Sequence, residues 1–187
     1  NRIGGGTTEL TAMTVKKIPI VQGDFAVSDV EGTVISTVLG SCVAACIYDP
    51  LARVGGMNHF LLPGNPDRDG SDQSRRYGVY LMEMLLNGLF QKGAARSRLQ
   101  VKLFGGARVL DARSDAGAKN SEFAKNFVVN EGLMLVSNSL GGPQGRRIEF
   151  EPCTGKARQK FIGTAVPEPE PKKISREMES VGDVDFF

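Results

Sequence analysis

The sequence predicts an α+β fold in which mixed β-strands pack with two to three helices. Three observations predict it. Short runs rich in β-branched residues crowd residues 18–64, two later stretches carry apolar residues at helical spacing, and further strand-like runs follow each of those stretches. A chain of 187 residues, 41% hydrophobic and 24% charged, has a globular composition and can bury one substantial core.

Residues 1–15, with a triple glycine and a threonine pair, read as a flexible leader. A single domain is expected over residues 16–164. IPIVQGDFAV (18–27) reads as a strand bent at Gly23-Asp24. TVISTVLG (33–40) is a strand broken at Gly40-Ser41, and CVAACIYD (42–49) is another, ended by Asp49-Pro50. VGGMNHFLLPG (54–64) is strand-like, with Met57, His59 and Leu61 on one face. These runs read together as a meander. NPDRDGSDQSRR (65–76) reads as a polar loop. Tyr77, Tyr80 or Leu81, Met84, Leu85 and Leu89 then form a helical stripe that stops at Lys92-Gly93. LQVKLFGGA (99–107) is a strand ending in a glycine pair. Asn120 or Ser121 is the expected cap of a second helix, with Phe123, Phe127 and Val128 on its buried face and Gly132 closing it. LMLVSN (133–138), RRIEFEP (146–152) and KARQKFI (156–162) read as three strands, the last two joined through Cys153-Thr154-Gly155. From Ala165 the composition shifts to PEPEPKK, so residues 165–187 read as a Pro/Glu-rich flexible tail ending in DVDFF.

Composition narrows the function classes. The net charge is +2, and residues 165–187 carry six acids and three bases, which leaves +5 on the rest. No strong electrostatic footprint results, so nucleic acid is not the expected ligand. No apolar run approaches the roughly 20 residues that span a bilayer. The opening NRIGGGTTELTA lacks the charged start and apolar stretch of a signal peptide. Three cysteines without a CxxC pair fit a reducing cytoplasm and argue against a structural zinc site. The single histidine, His59, excludes any site needing two imidazoles and is the only candidate imidazole base.

The informative stretch is ISTVLGSCVAACIYDPLARVGGMNHF. Cys42 follows Leu-Gly-Ser at the junction of two strand-like runs, a corner that can aim backbone N–H groups into a cleft as an oxyanion site requires. If the strands carrying Cys42 and His59 are antiparallel neighbours turning near residues 49–54, the two side chains face one another across one ladder. Ser36-Thr37 lies just upstream. Cys46 shares the face of Cys42 but sits ~13 Å along the strand, so it reads as core. Cys153 falls in a turn and reads as incidental.

The runs LGSCVAACIYDP (39–50) and GGMNHFLLPG (55–64) resemble those of the CheD family, chemoreceptor glutamine deamidases of bacterial chemotaxis. GDFAV (23–27), Arg76-Tyr77, LFGGA (103–107), GAKN (117–120), the GG with a following Arg (141–146) and TGK (154–156) fall in the same order. The resemblance covers roughly residues 16–162. It implies a layered fold of mixed sheets and helices like that of cysteine hydrolases and deamidases. It implies Cys42 as nucleophile, His59 as base and a hydroxyl residue as third member. That hydroxyl, usually Thr, falls at Ser36, with Thr37 one place on. A one-residue step reverses the face of a strand, so only one can reach the imidazole, and Ser36 is the expected member.

The implied reaction converts receptor glutamine to glutamate through a thioester, releasing ammonia, with the oxyanion held by N–H groups near Ser41 and Cys42. No metal or organic cofactor is expected, and glutamyl methyl ester hydrolysis is a natural side reaction. Methyl-accepting receptors are the expected substrate, a CheC-type phosphatase the expected further partner, and the cytoplasm the expected place. Two other classes compete. A non-catalytic chemotaxis adaptor would tolerate loss of Cys42 or His59, and both are present. A papain-like protease usually needs an Asn partner and lacks this sequence context.

Overall fold

The strand Val43–Asp49 is buried at nearly every position, which requires cover on both of its faces. The computed structural model, which describes residues 15–63, 70–108 and 115–164, supplies that cover. In chain order the elements are β1 (Lys16–Pro19), β2 (Phe25–Ser28), β3 (Thr33–Leu39), β4 (Val43–Asp49), β5 (Val54–Asn58), α1 (Gly70–Gln91), a single 3₁₀ turn (Arg96–Arg98), β6 (Gln100–Gly105), α2 (Ala116–Asn130), β7 (Met134–Leu140), β8 (Gln144–Glu151) and β9 (Lys156–Thr164). One sheet has the order β1-β3-β8-β9 and the other β2-β5-β4-β6-β7. Within them, β1 runs parallel to β3 and β6 parallel to β7, while the other neighbours are antiparallel.

Two apolar clusters follow from the alternation of β4. Val43, Ala45 and Ile47 face the helices and pack with Leu81, Met82, Leu85, Leu86 and Leu89 of α1 and with Ala124, Phe127 and Val128 of α2. Cys42, Ala44 and Cys46 face the other sheet and pack with Ile35, Leu39, Ile148 and Phe150. The layers are therefore helices, five-stranded sheet, four-stranded sheet, the mixed α+β architecture expected from the sequence.

Several local expectations need correction. Residues 18–27 are not one bent strand: the turn at Gly23 separates β1 from β2, which lie in different sheets. The first half is not a meander either. The chain passes from β2 in one sheet to β3 in the other and back to β4. Strand periodicity specifies faces but not which sheet a strand joins, so this crossing was hidden. Helix α1 starts at Gly70, inside the stretch expected to be loop. Asn120 and Ser121 do not cap α2, which begins at Ala116, and both are buried within it. The expected leader, apart from Val15, and the expected tail lie outside the described residues.

Candidate active site

The chain crosses between sheets at Gly40–Cys42, and three successive carbonyls fix that crossing. Gly40 O accepts from Ala107 N–H (2.9 Å), Ser41 O from Asn120 Nδ2 (2.9 Å) and Cys42 O from Gly106 N–H (2.7 Å). Among the described residues no peptide is cis, so the N–H groups of Ser41 and Cys42 point away from those acceptors. The close approach depends on glycine. Gly105 and Gly106 take φ of +116° and +65°, and a Cβ on them would strike Cys42 O and Ser121 Oγ respectively.

His59 follows the end of β5. Val43 and Phe60 form an antiparallel bridge, with Val43 N–H donating to Phe60 O (3.0 Å) and Phe60 N–H to Val43 O (2.9 Å). This register places His59 opposite Ala44 rather than opposite Cys42. Cys42 is thus the diagonal neighbour of His59 on the same face, still within side-chain reach. The face is the one turned to the four-stranded sheet, where Cys42, Met57 and Leu61 are buried.

From that sheet β3 supplies the hydroxyl. Thr37 Oγ1 lies 2.7 Å from His59 Nδ1 and donates to Ile20 O at 2.8 Å. A hydroxyl has one hydrogen. Since Ile20 O takes it, Thr37 accepts from Nδ1–H, which fixes the tautomer and leaves Nε2 as the basic nitrogen. The hydroxyl that meets the imidazole is therefore Thr37 and not the expected Ser36. Ser36 pairs with Pro19 and Glu149 in the sheet and points to the opposite face, while Thr37 is buried at 5% exposure. The inward positions of β3 are Thr33, Ile35, Thr37 and Leu39.

The other thiols sit elsewhere. Cys46 is fully buried in the core between the sheets, and desolvation pushes its pKa far up, which suits an inert core thiol. Cys153 is buried in the β8–β9 turn, and burial likewise raises its pKa. Among the described residues no group of three or more His, Cys, Asp or Glu is placed to hold a metal ion.

The family model for CheD, described as chemotactic sensory transduction, matches residues 61–161. The chain is 45% identical over 182 residues to a probable chemoreceptor glutamine deamidase CheD of Agrobacterium fabrum, covering 92% of this chain and 97% of that one. The chain belongs to the CheD family. A second CheD relative, from Sinorhizobium medicae, is 50% identical over 145 residues, 77% of this chain and 79% of its own length. Among solved structures, the Bacillus licheniformis hypothetical protein YfiH is similar at a TM-score of 0.40 and 12% identity, covering 62% of this chain and 50% of that one.

This CheD chain also uses a residue that sequence reading placed only as a helix cap. Asn120 sits in α2 at 1% exposure and bonds both flanks of the site: its Nδ2 donates to Ser41 O and its Oδ1 accepts from Leu62 N–H at 2.9 Å. A buried amide satisfied by backbone on two sides fixes the segments carrying Cys42 and His59 relative to one another. Its place inside the GAKN run was the only sequence signal.

Proposed function

We infer that this chain hydrolyses the side-chain amide of glutamine in methyl-accepting chemoreceptors, giving glutamate and ammonia. The observation that carries the mechanism is the Thr37–His59 bond, 2.7 Å long and oriented by Ile20 O. It holds imidazole Nε2 basic on the face that also carries Cys42.

A free thiol has a pKa of about 8.5 and is mostly protonated at neutral pH. His59 takes the Cys42 proton, and the thiolate attacks the glutamine carbonyl carbon. The N–H groups at the Ser41–Cys42 corner stabilise the oxyanion, each donor contributing about 3 kcal/mol in such sites. His59 then protonates the departing ammonia. Water, activated by the same nitrogen, cleaves the thioester and restores the thiol. The same route hydrolyses a glutamyl methyl ester.

The catalytic domain in this reading spans residues 16–164. Its place is the cytoplasm, where receptor signalling regions are reached, and a CheC-type phosphatase is its further partner. No helix among the described residues is long and apolar enough to cross a membrane. A silent adaptor would have no use for a buried hydroxyl–imidazole pair.

The test is incubation with a soluble receptor signalling fragment, with mass spectrometry reading the gain at each converted glutamine. Cys42→Ala and His59→Ala should each abolish conversion while leaving the fold intact, whereas Cys46→Ala and Cys153→Ala should remain active. Near-normal conversion by folded Cys42→Ala would overturn the assignment.

A further inference from the structure

The mechanism above leaves one polar side chain beside the nucleophile without a role. Gln22 Oε1 lies 3.9 Å from Cys42 Sγ. Gln22 stands at the tip of a tight turn in which Asp24 N–H donates to Val21 O (2.9 Å) and Val21 N–H donates to Asp24 Oδ2 (3.0 Å). Gly23 takes φ +89°, the value that the third position of a type II turn requires. The turn is clamped to the base itself. Gly23 N–H donates to His59 O (2.8 Å) and His59 N–H donates to Asp24 O (3.0 Å). Gln22 is half-buried, whereas Cys42 is fully buried. An apolar side chain here would cover the thiol equally well, but an amide also brings two N–H donors.

We propose that Gln22 is a further catalytic residue whose side-chain amide donates a hydrogen bond to the oxyanion formed when Cys42 attacks. The proposal rests on the reading of Cys42 as nucleophile. Before reaction the amide oxygen faces the thiol hydrogen. Once that proton has moved to His59, the sulfur has no hydrogen to give. A half-turn about the terminal torsion of Gln22, which is soft, exchanges its oxygen for its NH₂. Attack forms the S–C bond, and the carbonyl π pair moves onto oxygen. An N–H at that distance from the sulfur is within hydrogen-bond reach of an oxygen on the attacked carbon. When the C–N bond breaks, ammonia leaves with the proton from His59, the C=O re-forms and the Gln22 bond relaxes. A donor on the turn that also clamps His59 is held in register with the base, as preorganised stabilisation requires.

The experiment compares wild type, Gln22→Ala, Gln22→Glu and Cys42→Ala on the receptor fragment, with kcat and KM from ammonia release. Cys42 alkylation by iodoacetamide is followed across pH in the same proteins. Gln22→Ala should lower kcat about 10²-fold with KM changed less than threefold. Its melting temperature should not move, since this turn position accepts most residues. Gln22→Glu keeps the shape but replaces the donor with a second oxygen. It should lose at least as much activity, and the added carboxylate should shift the alkylation midpoint to higher pH by about one unit, which checks that the position faces the thiol, while the loss of kcat at nearly constant KM reports the donor. If Cys42→Ala is inactive while Gln22→Ala stays within threefold of wild type or rises above it, or if Gln22→Glu keeps full kcat, the proposal falls and the nucleophile assignment stands. If Cys42→Ala is active, both fall.

Discussion

Thr37 and Ser36 are adjacent hydroxyl residues with opposite fates, and their substitution separates orientation from packing. Thr37→Ala removes the acceptor that holds His59 Nδ1–H. The imidazole can then adopt the other tautomer, so deamidation should fall about 10²-fold or more, as read by mass conversion of a receptor fragment. Thr37→Ser should restore most of the rate, and Ser36→Ala should stay within about twofold because it touches the outer face only. Equal losses from the two alanine variants would remove the orienting role from Thr37. The sequence exposed the alternation of β3 but not its phase at a glance, since Val34 and Val38 make the outer positions apolar too. The signal that separates them is size: Ile35 and Leu39, the largest apolar residues of the run, share the parity of Thr37. Asn120 and Gln22 were illegible for a different reason. Their partners lie 79 and 20 residues away in the chain, and no local pattern reports such contacts.

The elements around the site are held by a few buried polar and glycine positions. Gly106→Ala should lower stability by about 2–4 kcal/mol, because the left-handed φ and the collision with Ser121 Oγ act together. Thermal unfolding should show a drop of roughly 5–15 °C, with activity falling as the Cys42 carbonyl loses its anchor. On the far side of β4, Asp49 is fully buried and gathers the N–H groups of Leu51, Ala52 and Ala95 and the guanidinium of Arg98 at 2.8 Å. Burial works to raise its pKa, but Arg98 and those three backbone donors outweigh burial and hold it well below the usual carboxylate range. A depressed folded-state pKa contributes stability that is full above the unfolded value of about 3.9 and is lost as pH falls through the folded value. Asp49→Asn should therefore destabilise by about 2 kcal/mol at neutral pH and flatten the loss of stability below pH 4. Chemical denaturation at pH 3, 4 and 7 would show this, and an unchanged acid limb would contradict it. Most strands and the existence of both helices were legible from period and punctuation, although β1 and β2 read as one run and both helix starts were misplaced. Their sheet membership was not, because β2, β3 and β4 look alike locally while alternating between sheets.

At the scale of the molecule, the residues proposed for catalysis come from opposite layers: Thr37 from one sheet, Cys42 and the segment bearing His59 from the other. Residues 165–187, with six acids and the PEPEPKK run, have the composition of a segment that adds nothing to a core. Deleting them should leave the melting temperature within about 2 °C and activity on a soluble fragment nearly unchanged. A large drop in a thermal scan would place the segment in the core.

Sheet membership also has a consequence for synthesis. The sheet facing Cys42 draws β1 and β3 from early in the chain and β8 and β9 from late in it. On the ribosome, the sheet bearing Cys42 and Cys46 can assemble first, but the surface that covers both sulfurs is completed only when the β8–β9 hairpin emerges. Pairings between such distant segments form slowly. The nascent chain therefore passes through an interval in which the Cys42 and Cys46 thiols are open to oxidation, and that hazard ends only when the last hairpin closes over them.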